Sequence, residues 1–359
     1  MGLVFLLVSG ASMSAAEPQA VTLRYRLFDG PDANLLSAVF VAWTHELEAR
    51  SNGRLRFVPA RDETPLRPPT TPGNSRSPPP VADQQGLLQR LGDGRADLVW
   101  MRPTDMAGAF PRLSVFELPM LVKDTRAASR ALWEFMHVYA IDEFKDVRVV
   151  GMHVQAPAQL HLVQSPSPSP DALCVRPIDT DSSAVLEGLF KALDCPPPVQ
   201  KPAPDASSTE PSVIPPQAFA QSYTKLASSF EGADAAAVPP MTHLESASDQ
   251  AVLSTRVYML AMSPAAYEAL PADLRGLLDD SLSAGTSLWF AAAVQALERQ
   301  ARDGFERQTS RQFSLEEYDR LRAAAAKVQN AWLAGVKARG FDGQQLLDGA
   351  RTLIKQHTR

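Results

Sequence analysis

The hydrophobic pattern at the start of the chain changes from a strand period to a helix period and back. Residues 22–28 alternate and are rich in β-forming side chains, which predicts a first strand. Apolar side chains within residues 34–50 recur at a four-residue spacing, as on one face of a helix. Residues 54–59 again have the composition of a strand. This order predicts a βαβ unit with a parallel sheet.

The last third of the chain has helical periods. The pattern predicts one long helix that begins at Leu270 and continues to about residue 305. A second amphipathic helix is expected to begin near Ser314, which forms a possible capping box with Glu317. Gly340 is the expected stop signal. The apolar stripes of both helices are typical of core contacts.

Two proline-rich stretches interrupt the pattern. Residues 65–80 hold seven prolines and residues 196–216 hold eight, so together they contain half of the 30 prolines in the chain. Because proline fixes φ and lacks a backbone donor, neither stretch is predicted to be a regular helix or a central strand. We expect both to be surface insertions with polyproline character.

Length and charge narrow the class of protein. The 359 residues are enough for two α/β lobes. The net charge of −5 argues against nucleic acid as a partner, because phosphates require a basic face. Residues 1–16 are apolar and then small, which is typical of a secretory signal peptide that lacks its basic n-region. A periplasmic location is therefore expected.

The sequence lacks the motifs of common catalytic and metal-binding sites. There is no GxSxG, no HExxH, no phosphate loop that ends in Gly-Lys-Ser/Thr, and no GxGxxG after a strand. We therefore predict no catalytic residue, no cofactor and no metal. Cys174 and Cys195 do not form a CxxC pair, and they are expected either to form a disulfide or to remain as buried thiols.

The most informative motifs lie within residues 93–161. They are DGRADLVWMRP, FPRLSVFELPM and HVQAPAQLH. This set resembles the "DG-ADIVW", "FPR-EVFELPF" and "H-GPG-LH" patterns of the solute-binding proteins of tripartite ATP-independent periplasmic (TRAP) transporters. The resemblance implies an α/β fold of the two-lobed, type II periplasmic binding-protein class, with a hinge and long C-terminal helices. It also implies that the chain captures a small organic acid and delivers it to a membrane permease.

The resemblance extends over about residues 22–284 and implies domain boundaries. Lobe I is expected to span residues 22–151, with an insertion at 65–80. Lobe II is expected to span residues 152–242, with an insertion at 196–216. Residues 243–359 would form a crossing strand and C-terminal helices that brace both lobes.

Arg176 is the residue that the resemblance marks most clearly as ligand-binding. Residues 172–176 (ALCVR) resemble the family's Gly-Leu-Lys-Ile-Arg strand, whose arginine forms a two-pronged salt bridge with the ligand carboxylate. A planar guanidinium matches a carboxylate with two parallel hydrogen bonds, and burial strengthens them. The alternative is an arginine in a structural ion pair or at the surface.

A second ligand-facing arginine, present in many relatives, is absent near residues 153–161. Gln155, Gln159 and His161 are the candidates to replace it, and packing within the strand is the alternative role for each. A neutral polar partner would favour a monocarboxylate with a hydroxyl, keto or aromatic part over a dicarboxylate. Pro239 stands near the expected pocket wall, where the family's tryptophan and acidic residue are missing.

Lobe I is expected to supply the rest of the pocket, because an open α/β sheet places ligands at the carboxyl ends of its strands. Trp100, Arg102 and Pro103 come at the end of the strand 96–101, and Phe28 ends the first strand. Trp100 would otherwise belong to the core. Arg102 would take over the role of the missing second arginine if it faces the cleft, and would otherwise lie in a solvated loop.

The sequence therefore predicts a periplasmic solute-binding protein that is not an enzyme, with a small organic acid and the TRAP membrane subunits as its partners. Two alternatives stay open. A diverged paralogue with a sensory or docking role would explain the proline-rich insertions and the altered pocket wall. A periplasmic enzyme on the same scaffold would need an acid/base pair, and the sequence offers no convincing one.

Overall fold

The computed structural model describes residues 20–28, 33–60, 84–106, 108–155, 159–163, 183–196, 212–214, 241–245, 253–281, 283–303, 309–312 and 315–358. The predicted signal segment, the insertion at 65–80, Arg176 and Pro239 lie outside these ranges, and so do most residues of the insertion at 196–216.

The described strands form two sheets. The strands are β1 (Val21–Leu27), β2 (Leu55–Pro59), β3 (Leu98–Met101), β4 (Arg148–Val154), β5 (Gln159–Val163), β6 (Ser212–Ile214), β7 (Met241–Glu245), β8 (Val257–Met262) and β9 (Thr309–Gln312). The first sheet has the order β2-β1-β3-β8-β4 and the second has the order β6-β5-β7-β9. The chain leaves the first sheet after β4 and returns to it at β8, so each sheet is the centre of one lobe. This arrangement confirms the predicted two-lobed α/β fold.

Helices cover the sheets and form the C-terminal third. They are α1 (Ala33–Arg50), α2 (Gln84–Gly92), α3 (Thr125–Phe135), α4 (Ala184–Ala192), α5 (Pro264–Glu268), α6 (Ala272–Asp279), α7 (Ala284–Asp303), α8 (Leu315–Ala338) and α9 (Gly343–His357). Short 3-10 turns lie at Pro103–Asp105, Leu113–Glu117 and Ile141–Phe144, and one π-helical turn lies at Met136–Ala140. In the described part of the chain, no helix is both long and apolar enough to cross a membrane.

The βαβ unit predicted from the first 60 residues is present. Strands β1 and β2 pair in parallel, with Leu23 opposite Phe57. The predicted apolar face of α1 is buried, since Val39, Trp43 and Leu47 are each at most 5% exposed. Burial of each such side chain contributes roughly 1.5–3 kcal/mol to stability. The four-residue spacing in the sequence is thus explained by packing against this sheet.

The centre of the first sheet is apolar on both faces. Every residue of β3 and β8 is buried, because helices cover both sides of the sheet as in other α/β folds. Helices α3 and α7 both pack on β4 at the edge. The sequences of β3 and β8 are therefore continuous apolar runs, and polar side chains occur only just before or just after these two strands.

The single long helix predicted from Leu270 is wrong, since the structure has two helices, α6 and α7, in its place. Two serines explain the break. The Ser281 amide and hydroxyl both donate to the carbonyl of Leu278, at 2.8 and 2.7 Å, which closes the end of α6. The Ser283 hydroxyl then accepts from the amide of Thr286 at 3.3 Å and caps the start of α7.

The helix predicted from Ser314 to Gly340 is confirmed as α8. Gly340 has a φ of +88°, and the Phe341 amide donates to the carbonyl of Val336 at 3.1 Å, as in a glycine-terminated helix. In the middle of α8, the Trp332 indole donates to the Ser114 hydroxyl at 2.8 Å. The same helix also packs on α4. This helix therefore contacts elements from both halves of the chain.

The structure describes part of two further regions that carry a prediction from the sequence, the cysteines and the second proline-rich stretch. Cys195, just after α4, is disulfide-bonded, and the chain holds one other cysteine, Cys174. Within the second proline-rich stretch, β6 forms a strand at the edge of the second sheet. This strand is three residues long and contains no proline, so its backbone can donate to β5.

Candidate ligand-binding site

The carboxyl ends of three strands and the start of a fourth meet at one edge of the first sheet. Strands β1 and β3 are parallel, β8 is antiparallel to β3, and β4 is antiparallel to β8. Phe28, Arg102 and Gln155 directly follow β1, β3 and β4, and Arg256 directly precedes β8. The Phe28 amide donates to the Trp100 carbonyl at 2.8 Å. Open α/β sheets bind ligands at an edge of this kind.

We call this region the lobe I edge. It consists of Phe28, Trp100, Arg102, His153, Gln155, Arg256 and Tyr258, all of them buried. It is also where the chain crosses to the second sheet, because the segment after Gln155 leads to β5 and the segment before Arg256 comes from β7. The lobe I edge therefore lies where the chain passes between the two sheets.

Aromatic rings form the floor of the lobe I edge. The His153 ring stacks on the Tyr258 ring, with centroids 5.2 Å apart and an interplanar angle of 11°. Trp100 meets His153 edge-on at 5.7 Å, and Phe290 of α7 lies 4.8 Å from Trp100. Trp100 is fully buried, so its indole ring belongs to the core that supports the edge.

Arg102 and Arg256 share one carboxylate. Asp105 lies 2.6 Å from the Arg102 guanidinium and 3.4 Å from that of Arg256. Arg102 also lies over the ring of Phe28, 4.4 Å from its centroid, in a cation–π contact. Pro103 is buried and begins the 3-10 turn that carries Asp105. Arg102 is thus a buried, ion-paired residue of this edge and not a solvated loop residue.

Glu117 forms hydrogen bonds that hold the segment before β8, residues 253–256, in place. Its carboxylate accepts from the Thr104 hydroxyl at 2.7 Å and from the Val257 amide at 3.0 Å. Its backbone carbonyl accepts from the Ser254 hydroxyl at 2.8 Å. Burial raises the pKa of the Glu117 carboxyl, and the nearby Arg256 charge opposes that rise. This buried acid holds both the segment and the charge of Arg256 in place.

Besides the Trp100 indole N–H, two polar side chains of the lobe I edge have no hydrogen-bond partner among the described residues. They are His153, with both ring nitrogens, and Gln155, with both amide atoms. His153 is 0% exposed and Gln155 is 1% exposed. Burial lowers the pKa of the His153 imidazole to about 3, so the ring is neutral at physiological pH. The backbone N–H of Gln155, unlike its side-chain amide, does have a partner, since it donates to the Arg256 carbonyl at 2.9 Å.

The predicted site residues fall in both sheets. Phe28, Trp100, Arg102, Pro103 and Gln155 come together at the lobe I edge or directly beside it. Gln159 and His161 lie on β5 in the second sheet, where Gln159 pairs with Ile214 and His161 pairs with His243. The region 153–161 is therefore not one strand, because it divides between β4 and β5. The positions of Arg176 and Pro239 stay predictions from the sequence, outside the part that the structure describes.

Sequence reasoning missed Arg256, Tyr258 and Glu117. A signal for Arg256 is present, since it immediately precedes VYMLAM, the longest apolar strand of the first sheet. A charged residue directly before a strand that is apolar throughout must lie at the edge of the sheet, because the apolar strand itself occupies the interior. Tyr258 and Glu117 have no comparable local signal, because their roles depend on pairing with distant segments.

Comparison with solved structures places this architecture in a known class. The chain is similar to a TRAP solute-binding protein from Rhodoferax ferrireducens T118 in complex with copurified benzoate, with a TM-score of 0.76 and 28% identity over 94% of this chain and 99% of that one. A marine metagenome protein with 3-hydroxybenzoate gives 0.71 and 22% over 95% and 100%. A Bordetella bronchiseptica protein with bound mandelate gives 0.71 and 19% over 94% and 99%. No protein-family model matches the chain.

The chain is a two-lobed solute-binding protein, and the matches extend over most of its length. Within that class it is similar to the solute-binding proteins of TRAP transporters, as the motifs between residues 93 and 161 predict. The three similar structures described above are solute-binding proteins.

Proposed function

We propose that the chain binds a small aromatic monocarboxylate between its two lobes in the periplasm and delivers it to TRAP membrane subunits. The observation that carries this proposal is the lobe I edge, where arginines, aromatic rings and buried amide groups meet at the point where the chain crosses between sheets. Similar structures contain benzoate, 3-hydroxybenzoate or mandelate. The aromatic rings of Phe28 and Tyr258 suit a ligand of that chemistry.

Arg176 is proposed to bind the ligand carboxylate from lobe II. The support is the resemblance of residues 172–176 to the family's ligand-binding strand. Gln159, His161 and Pro239 are proposed to line the same side of the pocket. A buried guanidinium–carboxylate pair of this kind gives both affinity and orientation.

The charge balance of the lobe I edge favours a single carboxylate. Arg102 and Arg256 carry two positive charges, and Asp105 and Glu117 carry two negative charges when both are ionised. This group of four is then neutral, so it offers no excess charge to a second carboxylate. Arg102 is proposed to form part of the pocket wall and not a second carboxylate anchor.

Binding is proposed to work by hinge closure about the crossing segments. A ligand that contacts both lobes stabilises the closed form, and only such a difference in contacts can shift the equilibrium. The closed form would be the one that the membrane subunits recognise. The scheme needs no bond to be made or broken, and we propose that the chain is not an enzyme.

The test is a calorimetric and thermal-shift titration of the chain without residues 1–16, using benzoate, mandelate and an aliphatic acid of similar size. A ligand that binds only the folded state raises the unfolding midpoint. The variant Arg176→Ala should lose at least about 2–3 kcal/mol of binding free energy. The control is Arg130→Ala on α3, which removes a half-exposed arginine 3.9 Å from Glu134.

A shift with an aromatic acid that Arg176→Ala abolishes and Arg130→Ala keeps would support the proposed function. No response to any acid by a folded sample would contradict it and would favour the diverged paralogue with a sensory or docking role. Equal affinity of Arg176→Ala and the unmodified chain would remove Arg176 from the site.

A further inference from the structure

His153 and Gln155 present four polar atoms on one face of the first sheet. His153 lies in β4 opposite Tyr258, and Gln155 follows β4 opposite Arg256. Residues two apart along an extended chain project to the same face. The four side-chain nitrogen and oxygen atoms are buried, and within the described residues none has a hydrogen-bond partner.

Such a pair is unusual in a folded protein. Most buried polar side chains have at least one hydrogen-bond partner. A buried group without a partner lowers stability by about 1–3 kcal/mol. Apolar side chains of similar size at these two positions would remove that loss, so stability alone does not account for a histidine and a glutamine. Their place at the crossing between the lobes indicates a role in recognition.

The chemistry of the two side chains defines what they can bind. A neutral imidazole has one donor and one acceptor, and the glutamine amide has an NH₂ donor and an oxygen acceptor. The Trp100 indole, edge-on to His153, has a further N–H without a partner in the described part of the chain. Together they match a group that both donates and accepts. A hydroxyl does both, whereas a carboxylate only accepts.

We propose that His153 and Gln155 form a specificity subsite for a hydroxyl substituent on the aromatic acid, at the end of the ligand away from its carboxylate. This inference rests on the proposed function and names the substrate class of that site, a hydroxylated aromatic monocarboxylate. The hydroxyl donates to one of the two acceptors and accepts from one of the donors. Gln155 was a ligand-binding candidate from the sequence, whereas His153 was not, because the place of His153 depends on the pairing of β4 with β8.

The charged groups around the subsite support a neutral substituent. Arg256 lies opposite Gln155 across the two strands, and Asp105 balances both Arg256 and Arg102. Glu117, when it is ionised, adds the second negative charge. A second carboxylate at the subsite would bring an unbalanced charge and would leave the acceptors of His153 and Gln155 without a donor. A hydroxyl would leave the charge balance unchanged.

The experiment is isothermal titration calorimetry of the chain without residues 1–16, with benzoate, the three monohydroxybenzoates and isophthalate as ligands. The informative quantity is the ratio of the Kd for benzoate to the Kd for the hydroxybenzoate that binds most tightly. We expect this ratio to be at least about tenfold, equivalent to 1.4 kcal/mol, and isophthalate to bind more weakly than that hydroxybenzoate. In His153→Phe, which keeps an aromatic ring, and in Gln155→Leu, the ratio should fall to about one to three.

The matched control is His137→Phe, at an exposed histidine whose ring nitrogen lies 2.8 Å from the Trp133 carbonyl. It should keep the unmodified ratio. An unchanged ratio in both His153→Phe and Gln155→Leu, with circular dichroism spectra like that of the unmodified chain, would overturn the subsite and leave the proposed function standing. Failure of every acid to bind the unmodified chain would overturn both. If one variant does not fold, the other decides.

Discussion

The backbone amide of Gln155 donates to the carbonyl of Arg256 over 2.9 Å, so the two chain segments that cross between the lobes are held together at the edge of the first sheet. The side chains of the same two residues belong to the proposed binding site. A movement of the crossing segments therefore moves the site, and contacts made at the site act on the crossing segments. In the proposed hinge closure, this pair would couple ligand binding to the motion of the lobes.

Loss of the Arg256 charge should strongly destabilise the protein. In Arg256→Met the stem of the side chain is kept, but the half-buried carboxylate of Asp105 and the buried carboxylate of Glu117 lose a positive partner. Removal of one partner of a buried ion pair typically costs about 3–5 kcal/mol. Urea unfolding followed by tryptophan fluorescence measures the change. Arg126→Met, at an exposed arginine of α3, should change stability by less than about 0.5 kcal/mol, and equal losses in the two variants would contradict the prediction.

Glu117 should make stability depend on pH in a defined direction. Its pKa is raised in the folded state, so the folded protein binds the proton more tightly than the unfolded chain. The stability from this proton is fully present below the unfolded pKa and is lost as pH rises through the folded pKa. Unfolding free energies across this range should therefore fall with pH more steeply in the unmodified chain than in Glu117→Gln. Parallel pH profiles would show that Glu117 does not titrate in this way.

The hydroxyl of Thr255 should restrain the crossing segment before β8. It donates to the carbonyl of Phe116 at 2.6 Å in a buried environment. Thr255→Val keeps the shape but leaves that carbonyl without its donor, at a cost of about 1–3 kcal/mol. Amide hydrogen exchange in residues 253–257 should become faster. Thr44→Val is the control, since Thr44 donates to the Val41 carbonyl within α1 at 3.0 Å, and it should leave exchange in residues 253–257 unchanged.

Close packing of α9 should make one of two glycine positions intolerant to alanine. A Cβ at Gly349 would lie 2.6 Å from the Tyr139 ring, whereas a Cβ at Gly335 of α8 meets nothing within 4 Å. Overpacking in Gly349→Ala should cost about 1–3 kcal/mol. Gly335→Ala should stabilise α8 by up to about 1 kcal/mol. Thermal unfolding of both variants tests the pair, and a loss in Gly335→Ala as large as in Gly349→Ala would refute the packing argument.

The sequence predicts those parts of the fold that are encoded locally. The apolar spacing of α1 and the stop at Gly340 both appear in the structure as expected. The break between α6 and α7 was missed, because Ser281 and Ser283 end and cap helices through hydrogen bonds that the apolar period does not reveal. Apolar periodicity locates a buried face and says little about where a helix stops.

The candidate site was predictable only in part, for a related reason. Phe28 and Arg102 each follow a strand of the first sheet, so the rule that ligands bind at strand ends finds them, whereas Gln155 was found through the family motif. Arg256 and Glu117 are 139 residues apart in the chain and meet only when β8 inserts between β3 and β4. No local pattern reports such a long-range contact. The resemblance to a family identifies the fold but does not reveal this group of charges.

Charge balance at the lobe I edge has a consequence for release of the bound acid. The balanced groups are Arg102, Arg256, Asp105 and Glu117. A receptor that holds its solute with an unbalanced cation must expose that cation when the solute leaves, and departure is slowed by the attraction. When Asp105 and Glu117 are both ionised, the lobe I side of the proposed pocket is neutral before the acid arrives and after it departs. Separation of the lobes would then have to break one charged contact, that of the acid with lobe II, because the proposed contacts with lobe I join neutral groups.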